Sequence, residues 1–521
     1  MIPKPTPAFF AGAVAGLAVL LIVCAILGII ARRRAAGYEQ YLVGSRDIGP
    51  FITGCAIAST YLSGWATMGM MGITYAVGWS GMWFAGVWTL FGIIPTLFLA
   101  ARKLSDFSMR NNTRTLADIV QLRYDSKVAS SLAALAMALL LFGYSVGQLK
   151  AAGTLWYAVT GFSPVWCLLL AVVVVLIYLL IGGYTGTQWA MAFQGILLGV
   201  ACFVLGIAAL SYVGGPSGLE ARLAAENPNL LRLIRPDMPK VGSSQLFSSW
   251  IGITSTLLLF FTMSTGFPHN VARFLGMRPM KKKADFIWLV IPVFLIAGFP
   301  IMLNATTGLA ARATFGPELL KIVPWKGDLA APFIAMVSGG VPLTTLYVTG
   351  VFAATLGTFS GMIMIIAANI TNDIIGAWWP NVQKSTLLVL TRLLLIPAAL
   401  IPFFWTLFSP PPLLALLMGQ AAAGMGGMFL PVVTLGLWWR RATKAGAIAC
   451  IVYGLPATLI FSYLVGKNLI GMGTAIWLIV VGCFFCYIVG SLLSRPLPEE
   501  KLDKILGTAP KAPAGGATVT T

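Results

Sequence analysis

Long stretches of this chain carry almost no charge, and that constrains the fold more than any motif. About thirteen apolar runs can be marked, each near the ~20 residues a helix needs to cross a bilayer. They span residues 8–31, 50–76, 78–100, 128–158, 164–181, 188–212, 246–268, 284–311, 341–375, 385–408, 412–438, 445–465 and 472–494. In hydrocarbon every backbone N–H and C=O must be paired within the segment, so runs of this length must be helices. Only 9% of residues are charged and mean hydropathy is +0.89, whereas a soluble domain is about a quarter charged. An all-α polytopic membrane protein follows. No nucleophile–base pair or phosphate loop points to an enzyme. His269 is the sole histidine, so no histidine cluster can hold a metal. Cys483 and Cys486 form C-x-x-C, but on a membrane helix with no His, Asp or Glu close by. Small apolar filler is the better reading there.

The net charge of +19 could suggest nucleic acid, but its distribution argues for topology instead. One side carries Arg32–Arg34 and Arg46, the cluster from Arg102 to Lys127, Arg273, Arg278 and Lys281–Lys283, Lys384, Arg440, Arg441, Lys444 and the C-terminal tail. The other side has fewer Lys and Arg. The richer side is cytoplasmic, which puts the N-terminus outside and the C-terminus inside, as an odd number of spans requires. Residues 1–9 lack a basic leader pattern, so the first span is expected to be retained. Two long loops, 213–245 and 312–340, fall outside and are expected to hold short surface helices. The tail after Leu506 has no periodicity and is expected to be disordered.

Residues 50–76 read PFITGCAIASTYLSGWATMGMMGITYA. Ser59, Thr60, Ser63 and Gly64 cluster in mid-span, with Trp65 just after. Small and hydroxylated residues let a helix unwind inside the membrane, and the freed carbonyls then need a partner. Broken transporter helices hold a sodium ion in this way. Close helix packing also uses small residues, and the stretch by itself is compatible with both readings. Spacing suggests duplication: spans two to six and seven to eleven make two sets of five. Five is odd, so the second set starts from the opposite side, an inverted repeat. The divisions expected are an extra helix and basic loop over 1–49, a first repeat over 50–212, an outer loop over 213–245, a second repeat over 246–438, two helices over 439–494 and a tail over 495–521.

Four stretches resemble the sodium:solute symporter family. They are Ser59 to Trp65 (S-x-x-x-S-G-W); Gly182-Gly183-Tyr184 with Trp189 and Gln194; Gly266-Phe267-Pro268-His269 with Arg273-Phe274; and Ala423 to Phe429 through Pro431 to Trp439-Arg440-Arg441, then Gly446-Ala447. The match runs in order through nearly the whole chain. It implies a LeuT-type fold of two inverted five-helix repeats, with one helix before and two after. It implies a sodium site built from Ser59 and Leu62 carbonyls in span two, an Ala354 carbonyl and the Thr358 hydroxyl in span nine. Sodium is a hard cation and suits such oxygens. The family has two adjacent hydroxyl residues in span nine; here the first is Gly357, and Ser360 is a candidate replacement. Proline permeases have an aspartate at Tyr61. Many members have Thr-Asp where this chain has Ala190-Met191, which puts a second sodium, and the coupling ion, in question.

Lys150 lies in span four, about eight residues from its outer end. An intramembrane lysine is a functional hypothesis: it could bind a substrate carboxylate, stand in for a cation, or snorkel outward. Arg392 can snorkel toward the cytoplasm. Thr60, Ser63, Trp65, Lys150 and Gln420 are the candidate substrate contacts, with helix packing the alternative for Trp65 and Gln420. The expected function is sodium-driven import of a small, carboxylate-bearing solute such as a monocarboxylate, pantothenate or an amino acid. Proton coupling on the same fold is the first alternative. A solute-sensing membrane module is the second, disfavoured because only about 27 residues follow the last span and no signalling domain is among them. No cofactor beyond the coupling ion is expected. The expected partners are the solute, sodium and lipid, with no nucleic acid. The expected setting is a monomer in a bacterial inner membrane.

Overall fold

A computed structural model describes residues 2–32, 42, 44, 46–322, 326–409 and 414–507; side chains at 28, 31, 32, 177, 178, 180–187 and 414–417 are outside this description. The described residues are almost wholly helical, with two isolated bridges, Ile48 to Met277 and Gly242 to Gly471. The principal helices are α1 (Pro7–Arg32), α2 (Pro50–Tyr61), α3 (Met70–Val77), α4 (Lys127–Thr160), α5 (Pro164–Tyr212), α6 (Trp250–Gly266), α7 (Phe299–Phe315), α8 (Ala330–Ala368), α9 (Lys384–Phe408), α10 (Leu414–Phe429), α11 (Lys444–Gly466) and α12 (Met472–Leu492). The sequence motif at Gly182-Gly183-Tyr184 lies outside the described side chains, as does the tail beyond Gly507.

Among the described residues ten helices are long and apolar enough to span a membrane, eleven if the bent pair Trp250–Gly266 and Pro268–Gly276 counts as one. Thirteen expected runs become ten or eleven because continuity of helix and crossing of a membrane are different things. Trp65–Asn111 is a single 47-residue helical run, about 70 Å at 1.5 Å per residue, more than two hydrocarbon thicknesses. Its α-helical geometry is interrupted at Gly78, whose φ of 76 and ψ of −147 lie in a region open essentially to glycine alone. Pro50–Tyr61 is only 12 residues long and is the first half of the broken span two. Expected span five is the first part of α5, which runs unbroken from Pro164 to Tyr212, and its described apolar part is Pro164–Leu176.

The core is formed by α5 against α8 and α2, α4 against α8 and α10, and α6 against α10. In the α8 stretch Val341 to Ala368 most side chains are buried, whereas in α1 most are half or fully exposed. Central helices with apolar residues all round and peripheral ones facing lipid follow the usual rule for buried helices. One charge inside the fold has a purely structural role. Arg123 is 1% exposed and donates to the carbonyls of Gly436 at 2.7 Å and Trp439 at 2.8 Å, with Ala442 and Arg440 at 3.3 Å. The Trp439-Arg440-Arg441 signature is thus clamped through its backbone.

The expectation for the two long loops is corrected in one respect. Segment 213–245 does carry a helix, Gly215–Glu226, tied down by Arg312 to Glu226 at 2.5 Å. Segment 312–340 does not stay at the surface. Lys326–Leu329 forms a 3-10 turn leading into α8, and the residues from Gly327 to Met336 are buried. The chain then bends at Gly340, φ 58 and ψ −151, before the membrane-crossing part of α8.

Candidate functional site

Span two unwinds in the stretch read as a break. α2 ends at Tyr61, Leu62 leaves helical geometry (φ −78, ψ 40), and helix resumes as a π-turn over Trp65–Gly69 ahead of α3. The last carbonyls of a helix have no intrahelical donor, which leaves those from Ser59 onward to other partners. Gly64 N–H is met by Gln148 Oε1 of α4 at 3.1 Å. Gln148 was missed in the sequence, where a lone amide in an apolar helix carries no pattern. Its Nε2 is buried and has no hydrogen-bond partner among the described residues. Thr355 Oγ1 of α8 is likewise buried without one, and a Cβ built on Gly64 would stand 3.3 Å from it. A backbone gap, an amide donor and a hydroxyl converge here.

The residues expected to hold the ion lie at the end of α2 and on α8. Ser59, Leu62, Ala354 and Thr358 are all fully buried. Ala354 and Thr358 are four apart and therefore share one face of α8. The hydroxyls of Ser59 and Thr358 have no partner among the described residues. Ser360 instead donates to Gly357 O at 2.7 Å, within its own helix. Among the described residues no group of three or more His, Cys, Asp or Glu could hold a metal, so any cation here meets neutral oxygens.

The substrate candidates scatter more. Thr60 Oγ1 donates back to Ala56 O at 2.9 Å. The Ser63 carbonyl accepts both the N–H and the hydroxyl of Thr67, at 3.1 and 3.0 Å. Trp65 lies in an aromatic cluster with Trp88 (4.9 Å between centroids), Phe260 (5.2 Å) and Phe84 (6.3 Å), and Tyr61 meets Trp88 edge-on. The cluster joins spans two, three and seven, a long-range grouping that no local pattern announces. Gln420 is half-buried on α10, which packs on the π-turn. Arg392 is exposed on α9.

Lys150 has a carboxylate from its own chain. Its Nζ is 2.6 Å from Asp328 Oδ2, and the two side chains are 0% and 1% exposed. Asp328 lies against Gly72 of α3, where an added Cβ would be 2.8 Å from Oδ1. The pair therefore ties α4, the turn before α8 and the second half of the broken span together, beyond the gap. At the opposite end Arg273 of the G-F-P-H motif region donates to Gln188 Oε1 at 3.1 Å and abuts Gly361 of α8. A cavity of about 50 Å³ lined by Arg114, Thr115, His269, Arg273 and Asn369 adjoins it. Span seven bends by 42° between Gly266 and Pro268, so both sets of five contain an interrupted helix in the corresponding place, as ion and substrate sites at repeat interfaces require.

Residues 41–454 match the sodium:solute symporter family. The osmoregulated proline transporter OpuE of Bacillus subtilis is 24% identical over 92% of this chain and 93% of its own. A sodium/proline symporter of Staphylococcus aureus is 24% identical over 94% of each. Among solved structures, a Na+-coupled sialic acid symporter in a substrate-bound outward-open state superposes with a TM-score of 0.72 at 17% identity, over 94% of this chain and 99% of that one. MhsT in complex with L-phenylalanine gives 0.50 at 14% identity, over 83% and 98%. These neighbours have the LeuT fold. The chain belongs to the sodium:solute symporter family, and it is a transporter rather than an enzyme.

Proposed function

We propose that the protein imports a small carboxylate-bearing solute of the proline kind together with sodium, across a bacterial plasma membrane, by alternating access around the gap in span two. The observation that carries this reading is the gap itself, together with buried side chains that have no hydrogen-bond partner among the described residues: first the hydroxyls of Ser59 and Thr358, then the Gln148 amide and the Thr355 hydroxyl. The first set suits a cation and the second an anion or polar solute. Full-length relatives named as proline transporters support the solute class. Rocking of the two repeats about this point would open it to each side in turn.

Uptake of labelled proline into proteoliposomes tests the reading. An inward sodium gradient is expected to drive accumulation, with other small monocarboxylates competing. The second reading is proton coupling, favoured by Met191 and Gly357 at positions where relatives carry oxygen ligands. Accumulation driven by a pH gradient and indifferent to sodium would establish it instead.

The orientation is part of the proposal. Lys and Arg asymmetry places segment 213–245 outside. None of the seven cysteines is exposed, so a Lys240→Cys variant offers a clean label site at an exposed position. An impermeant maleimide is expected to label it in intact cells. Labelling only after permeabilisation would invert the topology.

A further inference from the structure

α5 passes between α2 and α8 at Gln194-Gly195. A Cβ built on Gly195 would lie 2.8 Å from Cys55 O and 2.9 Å from Ser59 Cβ, and one built on Gly357 would fall within 3.0 Å of Gln194 Oε1. Two glycines therefore let three helices meet beside Ser59 and Thr358. Gln194 is 3% exposed. Its Nε2 donates to Cys24 Sγ of α1 at 3.5 Å, which turns Oε1 toward Gly357. That oxygen is buried and has no hydrogen-bond partner among the described residues. Its near neighbour on the same helix is Met191, whose Cγ would be 3.1 Å from a Gly357 Cβ and which offers no donor.

The asymmetry of an amide oxygen matters here. A buried hydroxyl can turn its hydrogen toward a carbonyl of its own helix. An amide oxygen can only accept, and a buried acceptor left unmet is destabilising. Gly195 brings Ser59 beside this stretch of α5 and Gly357 brings the residue before Thr358 against Oε1, and the hydroxyls of both Ser59 and Thr358 are buried with no hydrogen-bond partner among the described residues. With their hydrogens turned toward backbone carbonyls, the two hydroxyls present lone pairs as the amide oxygen does, and a cation would satisfy all three.

We propose that Gln194 Oε1 is a ligand of the transported sodium ion, filling the place that a hydroxyl side chain at position 357 would occupy. The ligand set then comprises the Ser59, Leu62 and Ala354 carbonyls, the Thr358 hydroxyl and the Gln194 amide oxygen. All are neutral oxygens, which suits a hard monovalent ion, whereas calcium sites use carboxylates. This assignment rests on the sodium-coupled reading above and adds a residue to it.

The test uses the full-length protein in proteoliposomes and in detergent, with sodium chloride against choline chloride. Gln194→Ala is expected to raise the sodium concentration for half-maximal uptake by on the order of tenfold. The KM for solute at saturating sodium should stay within about twofold. The sodium-induced rise in melting temperature should shrink in parallel. Gly357→Ser added to Gln194→Ala should recover most of the lost sodium affinity, because the hydroxyl now enters the vacated space. Gln194→Glu, which keeps an oxygen in the same shape, should retain a sodium response even if the alanine variant folds poorly. An unaltered sodium response in Gln194→Ala, or no recovery in the double variant, overturns the assignment. If the unaltered protein itself ignores sodium in both readouts, the coupling reading falls and the ligand assignment falls with it; the two failures are told apart by the unaltered protein alone.

Discussion

Lys150→Met is expected to destabilise the protein by ~3–5 kcal/mol, because it strands a buried carboxylate. Lys150 Nζ and Asp328 Oδ2 are 2.6 Å apart and both side chains are essentially inaccessible. Two ions removed from water lose several kcal/mol of hydration each, and their mutual attraction offsets that loss only while both are present. Removing the lysine takes the cation away from Asp328, which stays buried against Gly72 of α3 near the start of α8, an end that favours negative charge. Replacing both, as Lys150→Met with Asp328→Leu, should restore most of the melting temperature, since apolar pairs of similar volume are often as stable as the ions. Thermal unfolding of the two single variants and the double completes a mutant cycle. A double variant no more stable than either single one would show that the pair is not the source of the loss. The double variant also isolates transport. If Lys150 additionally guides a solute carboxylate, KM for an anionic solute stays raised in the stable double variant while that for a neutral analogue does not. Equal KM values for both solutes would confine Lys150 to fastening the turn before α8 onto α3 and α4.

That pair shows where reading the chain by hydropathy stops. Every expected span has a helical counterpart, because hydrocarbon leaves the backbone no other choice. The break at Leu62 was legible from Ser59, Ser63 and Gly64, since it is a local property of residue type. Asp328 was not. It lies in a stretch with Pro, Lys and Glu that reads as a surface loop, and only its approach to Lys150, 178 positions away, shows that it turns inward. Gln194 was legible only as part of a resemblance and not as a site residue, and Gln148, Trp88 and Phe260 were invisible for a related reason. Each is one residue in an apolar helix, and its meaning comes from what faces it across a helix crossing. Gly357 was legible only as a missing hydroxyl; the amide that takes its space comes from another helix altogether.

The close packing that hides such contacts also makes them testable. Gly64→Ala is expected to cut the initial uptake rate by about tenfold to a hundredfold while the protein still folds. A Cβ there would stand 2.7 Å from Ala151 Cβ, 3.0 Å from Gln148 Oε1 and 3.3 Å from Thr355 Oγ1. Ala151 Cβ is fixed to the α4 backbone and cannot rotate away, so either α4 shifts or the Gly64 N–H bond to Gln148 is lost. Overpacking of this kind costs ~1–3 kcal/mol, and a factor of ten corresponds to ~1.4 kcal/mol. The cost falls on the gap itself, where the N–H of Gly64 orients Gln148 and leaves its Nε2 available. Gly143→Ala is the matched comparison. It lies on the same helix α4 with nothing within 4 Å of its added Cβ, and alanine favours helix by up to ~1 kcal/mol over glycine. Uptake should be unchanged there and the melting temperature equal or higher. Equal uptake in Gly64→Ala and Gly143→Ala would mean that the gap tolerates a methyl group. The solute would then bind away from the Gly64–Gln148 contact, and the search for its carboxylate partner would move to Gln420 and the face of α10.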